Sequence, residues 1–240
     1  MDGFTNMLLY TTFAGACILF GGLVARSERI RPRWLEDELR HSVIAFGGGV
    51  LISAVALVLV PEGTRLVPSM WAAPLLLVAG GLAFFGIERY LGLRRRGKPQ
   101  FMAMLLDYLP ESLALGGMFA VGSVSAPLLA LLTGLQNLPE AFNAYRELDA
   151  LPKANSRRIL WQMCATIPLG PAAGALGWIH AAEHAWALGA VMLFSSGGIL
   201  YLLFQDVAPQ SHLNRHWGPA LGSVLGFAVS VLAQQIVTPA

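Results

Sequence analysis

Apolar residues in this chain come in long runs rather than in stripes at helical spacing. Eight runs of about 19 to 24 residues stand out, at 4–25, 42–61, 70–91, 101–121, 126–145, 159–179, 184–205 and 217–237. Each is long enough to cross a hydrocarbon core of roughly 30 Å as an α-helix. The pattern predicts an all-α fold: a polytopic membrane protein, one transmembrane domain over residues 1–240, built as a bundle of eight helices. The connecting segments are too short to hold a soluble domain, and none is a low-complexity linker. Composition agrees, because 55% hydrophobic and 12% charged residues lie far from the soluble norm.

The charges then orient the bundle. Fifteen of the sixteen basic residues fall in alternate connecting segments. Arg26, Arg29, Arg31, Arg33 and Arg40 follow the first run. Arg89, Arg94, Arg95, Arg96 and Lys98 follow the third, and Arg146, Lys153, Arg157 and Arg158 the fifth. Arg215 follows the seventh, and Arg65 alone lies on the other side. Short loops rich in Lys and Arg stay in the cytoplasm. Both termini are therefore expected outside, on the periplasmic face of an inner (plasma) membrane, with an even number of spans. The N-terminus carries Asp2 and no basic region, so no cleavable signal is expected. Cys17 and Cys164 lie in apolar runs and make neither a disulfide framework nor a thiol metal motif.

Three acidic residues fall inside the runs and away from their ends: Asp107, Glu111 and Glu140. A charge at the centre of a membrane helix costs about 2.5–3.5 kcal/mol on insertion scales, so such residues mark sites. Asp107 and Glu111 are four apart and share a helix face, and Gln136 and Glu140 repeat that spacing in the next run. The segments read alike: "DYLPES" at 107–112 and "QNLPEA" at 136–141. Pro110 and Pro139 deprive the carbonyls of Leu106 and Leu135 of a donor, so each helix is expected to kink or loosen one turn below its glutamate. Two such helices with facing carboxylates suit a cation site midway across the membrane. The bland alternative is a buried glutamate bonded to a neighbouring helix beside an ordinary membrane proline; the doubled motif weighs against it.

Other polar groups offer less. Gln205 and Asp206 close the seventh run, with Pro209 and His212 beyond. Glu62 follows Pro61 and reads as interfacial, and Glu88 reads as an interfacial ion pair with Arg89. His180 and His184 flank Glu183 in an outer loop, where two solvated histidines are the plain reading. His41 and His216 offer nothing distinctive. The glycine groups at 47–49, 80–81, 116–117 and 197–198 suggest close helix approach.

These residues resemble the ZIP (ZRT/IRT-like) family of divalent metal transporters, in particular a divergent member of its bacterial GufA-like branch. That family has eight spans with both termini outside. Its fourth span typically carries His-Asn-x-Pro-Glu-Gly and its fifth Gln-Asn-x-Pro-Glu-Gly. Here "DYLPES" and "QNLPEA" occupy those places, while "LGPAAGALG" at 169–177 and "GGILYLLFQDVAP" at 197–209 are similar to its sixth and seventh spans. The resemblance implies a metal site of Asp107, Glu111, Gln136 and Glu140, with Asn137 beside it. It also implies an exit-side pair at Gln205 and Asp206. A second metal position is impaired, because Tyr108 replaces the family's Asn and Gly170 stands where a Glu is expected. Ser112 and Ala141 replace the motif glycines.

The expected function is transport of a divalent cation into the cytoplasm, with zinc, manganese or iron as substrate and no resident cofactor. Four oxygen donors in place of an imidazole set suit harder ions, so relaxed selectivity is expected. The alternative is a transport-inactive, ZIP-like metal sensor or partner-binding membrane protein. An intramembrane hydrolase would need a nucleophile–base pair or His-Glu-x-x-His, and the sequence offers neither. No enzymatic activity and no nucleic-acid partner are expected. The bilayer is one partner, and the family's frequent dimerisation makes a homodimer another.

Overall fold

A computed structural model describes residues 2–27, 33–94, 99–212 and 217–238. Arg29, Arg31, Arg95, Arg96, Lys98, Arg215 and His216 lie outside the described residues, as do the side chains of Arg33, Arg94 and Glu183. Among the described residues the chain is all-helical. Its α-helices are α1 (Gly3–Ser27), α2 (Arg33–Ser53), α3 (Val60–Leu66), α4 (Ala72–Arg94), α5 (Pro99–Ala120) and α6 (Ala126–Asp149). They continue as α7 (Ser156–Thr166), α8 (Leu169–Glu183), α9 (Ala185–Leu202), α10 (Ala208–Ser211) and α11 (Gly218–Val237).

Six of the resulting stretches are long and apolar enough to cross a membrane, among the described residues: Gly3–Ser27, Glu38–Leu66, Ala72–Tyr90, Ser156–Ala181, Ala185–Ser211 and Gly218–Val237. The protein is a multi-pass membrane protein. Helices α5 and α6, at 22 and 24 residues, have the length but not the apolar character. They carry Asp107, Glu111, Gln136, Asn137, Glu140 and Asn143. These are the helices least able to face lipid, and α6 is buried over most of its length.

The helices pair closely. Helix α1 lies along α6, α2 along α11, α4 along α9, and α5 along α8. Helix α6 also touches α2 and α5, so it runs through the interior between them. Glycine makes the close approaches possible. A side chain at Gly116 would strike the carbonyl of Gly174 across α5/α8, and one at Gly80 the carbonyl of Phe194 across α4/α9. In lipid, where apolar burial drives little association, such backbone contact is what joins helices.

Prolines shape two turns that the sequence reading did not anticipate. A π-helical turn at Ala54–Leu59 links α2 to α3 just before Pro61. A second, at Leu203–Val207, links α9 to α10 just before Pro209. Proline has no N–H for the carbonyl four residues back, and its ring crowds that carbonyl. A wider turn shifts the bonding register and relieves the crowding. Helices α5 and α6 instead run unbroken through Pro110 and Pro139, with no π turn at either. A third interruption, at Ile167–Pro168, divides α7 from α8 within the sixth run.

Candidate cation site

Helices α5 and α6 run antiparallel, and their polar residues face one another in register. Gln136 Nε2 donates to Glu111 Oε2 at 2.8 Å. One turn along, Glu140 lies within hydrogen-bonding reach of Asp107. At the helix ends that carry Pro99 and Asp149, the Gln100 backbone N–H donates to Glu147 Oε2 at 3.0 Å. Each step of three or four residues along α5 is matched by an equal step back along α6. The spacing of Asp107 and Glu111, and of Gln136 and Glu140, thus turns both pairs into one seam.

The seam is buried and lined by carboxyl groups. Glu111 and Gln136 have no exposed surface, and Asp107 and Glu140 are 4% and 5% exposed. The three carboxyl groups lie within electrostatic range of one another, and among the described residues none has a Lys, Arg or His partner. An uncompensated charge in such a place is costly. Several oxygens are buried without a hydrogen-bond partner: Glu111 Oε1, Gln136 Oε1 and Glu140 Oε2. The Gln136 amide spends its nitrogen on Glu111, so its oxygen is the atom left over. Clustered carboxylate and amide oxygens with no countercharge are the ligand set of a hard or borderline cation.

The structure distributes the expected residues unevenly. Glu111, Gln136, Glu140 and Asp107 come together. Asp107 Oδ1 is partly engaged, accepting from the Tyr108 backbone N–H at 2.8 Å. The carboxylates approach in succession along the seam rather than at one point. Among the described residues, no three His, Cys, Asp or Glu side chains are grouped tightly enough to hold an ion between them. A bound ion would therefore draw on Gln136 as well as on carboxylates. Asn137 is turned away, its Nδ2 donating to the Ala14 carbonyl of α1 at 2.8 Å. It ties α6 to α1.

Tyr108 projects from the adjacent face of α5, toward α1 and α8. Its ring is fully buried, and its hydroxyl donates to the Thr11 carbonyl at 3.4 Å. The same hydroxyl would collide with any side chain placed at Gly15 or Gly170. The tyrosine and the glycines are thus complementary in volume.

Asp206 and Gln205 sit in the second π turn. Asp206 faces Glu88 and Glu147 within electrostatic range, while Gln205 is exposed. Glu88 makes no ion pair with Arg89 and lies instead beside Tyr201, which corrects its reading as an interfacial pair. Consecutive helical residues point about 100° apart, so Glu88 and Arg89 could not both face the interior. Glu62 is not merely interfacial. It accepts from the Ser125 hydroxyl at 2.8 Å and ties α3 to the start of α6. His180 and His184 are exposed, and His180 Nδ1 is satisfied by the Leu176 carbonyl at 2.8 Å.

Sequence reasoning missed four polar residues. Thr133 and Asn143 lie on α6 in the 3–4 spacing that also contains Gln136, Glu140 and Glu147, and that spacing was the available signal. The buried Thr133 hydroxyl lies beside Glu111 without forming a well-aligned hydrogen bond. Gln100 and Glu147 were hidden at helix ends. No protein-family model matches the chain, and the comparison with curated proteins found no match.

Proposed function

We propose that this chain is a divalent-cation transporter of the ZIP type, with α5 and α6 as its fourth and fifth spans. One observation carries the reading. Two adjacent buried helices present three carboxylates and an amide to each other with no cationic side chain among them. Ionised together, these groups call for a countercharge, and a transient cation supplies one. On this reading the bundle has eight spans, both termini lie on the outer side of the plasma membrane, and the ion moves inward. Zinc, manganese(II) and iron(II) all suit the oxygen donors, and the site takes one ion per chain. A homodimer is the assembly suggested by the family resemblance.

A second reading, a transport-inactive sensor or partner-binding protein with the same site, is favoured by one feature. The Tyr108 hydroxyl packs directly against Gly170 of α8, the position where the family resemblance expects a ligand glutamate.

The deciding experiment is metal uptake into proteoliposomes. Wild type should accumulate zinc or manganese, and Glu111→Ala or Glu140→Ala should abolish uptake while the protein still purifies as a folded species. Near-normal uptake by the double variant would refute the site. Binding without uptake by wild type would select the sensor reading.

A further inference from the structure

The seam does not stop at the carboxylates. Along α6, Thr133, Gln136, Glu140, Asn143 and Glu147 recur at alternating steps of three and four, so they share one face of a helix. Together they span about 21 Å at the helical rise. Along α5 the matching positions are Glu111, Asp107, Met104 and Gln100. The register set by the Gln136–Glu111 and Gln100–Glu147 bonds places Met104 opposite Asn143.

Two further buried oxygens lie on this continuation. Asn143 is 3% exposed, and its Nδ2 donates to the Pro139 carbonyl at 2.8 Å, so its free atom is Oδ1. That oxygen has no partner. Gln100 is 6% exposed, and its Oε1 is also buried and unpartnered. Both flank Glu147, whose carboxylate accepts from the Gln100 backbone and faces Arg40 electrostatically. Toward the other end of the bundle, beyond Ser112 and Thr133, the buried residues of α5 and α6 are mainly apolar, such as Leu115, Met118, Leu128 and Leu132. Polar continuity therefore runs farther toward Pro99 and Asp149, through Asn143, Gln100 and Glu147, than toward the other end, where it stops at Ser112 and Thr133.

We infer that Asn143 Oδ1, Gln100 Oε1 and the Glu147 carboxylate form a second, weaker station for a divalent cation, through which an ion leaving Glu140 reaches the cytoplasmic end of the seam. The inference rests on the transport reading above. At this station Glu147 faces Arg40 as well as Asp206, so a cation opposes the dication there, whereas the three carboxylates above have none beside them; ligand charge is what grades affinity at oxygen sites. The gradient favours release. Asn143, one turn from both Glu140 and Glu147, bridges the interval that Met104 would otherwise leave apolar.

The test uses the full-length protein, with manganese(II) as the probe. Equilibrium binding and proteoliposome uptake are measured for wild type, Glu147→Gln, Asn143→Leu and Glu111→Ala. Glu147→Gln keeps an oxygen to accept the Gln100 N–H, so its fold is preserved. Wild type should bind one ion tightly and a second weakly. Glu147→Gln should retain the tight ion, lose the weak one, and show a maximal uptake rate lower by about tenfold, as expected for removing the charged ligand of an oxygen site. Asn143→Leu should slow uptake in the same way with tight binding intact. Wild-type rates and wild-type stoichiometry in both variants, with Glu111→Ala inactive, would overturn the station and leave the transporter standing. Uptake of neither manganese nor zinc by the wild type would overturn both.

Discussion

At the scale of single residues, the site is a matter of which atoms lack a partner. On the proposed transport function, Asp107 is the member of the set expected to bear most on ion choice, because an imidazole there would add a nitrogen donor that suits zinc. Competitive uptake by Asp107→His should shift the zinc-to-manganese ratio toward zinc. An unchanged ratio in an active variant would show that Asp107 does not set selectivity. Tyr108 makes a different prediction. Its hydroxyl occupies the volume above Gly170, and overpacking a filled interior costs about 1–3 kcal/mol. Gly170→Glu should lower the thermal midpoint in detergent, and adding Tyr108→Ala should restore much of it. If the double variant is no more stable than Gly170→Glu alone, the tyrosine is not the obstacle. The doubled "LPE" motif was legible in the sequence because two carboxylates at the same spacing in adjacent apolar runs are rare by chance. The direction of Asn137 was not, since position 137 falls beside the seam-facing face of α6 and only the packing of α1 decides where it points.

At the scale of elements, glycine sets how close the helices come. Gly116 of α5 has the backbone of α8 directly against it, whereas Gly86 of α4 has nothing within 4 Å of where a side chain would begin. Gly116→Ala should therefore separate α5 from α8 and destabilise the protein, by about 1–3 kcal/mol if the cost is one of overpacking. Gly86→Ala should be neutral or stabilising, by up to about 1 kcal/mol from helix propensity. Thermal unfolding in detergent reads both signs. Equal effects would mean that glycine contacts do not hold the pairs. The sequence indicated the glycine groups but not their partners, because a helix pair depends on two rotations about two axes.

At the scale of the whole molecule, the polar helix α6 lies inside, together with the apolar stretches Glu38–Leu66 and Ala185–Ser211, while α4 and α11 lie outside. Helix α4 exposes most of its span, as a lipid-facing element would, while α6 is enclosed. The basic asymmetry predicts which end faces the cell interior. In a background lacking Cys17 and Cys164, Ser69→Cys and Val124→Cys should react with an impermeant thiol reagent on intact cells. Ala154→Cys should react only after lysis. The opposite labelling pattern would invert the topology and, with it, the direction assigned to the seam.

Local chemistry settled much from the sequence alone. A run of about 20 apolar residues must satisfy its own backbone in lipid, so its helical state needs no tertiary information. The position of the carboxylates along each helix follows from counting. What the tertiary structure decided was rotation and depth. It turned Glu88 toward Tyr201 rather than Arg89, set Tyr108 against Gly170, and aligned α5 with α6 so that separate motifs became one seam. It also placed π turns before Pro61 and Pro209 but not before Pro110 and Pro139. These outcomes depend on how neighbouring helices touch, and a contact between residues far apart in the chain leaves no mark on the local pattern of either.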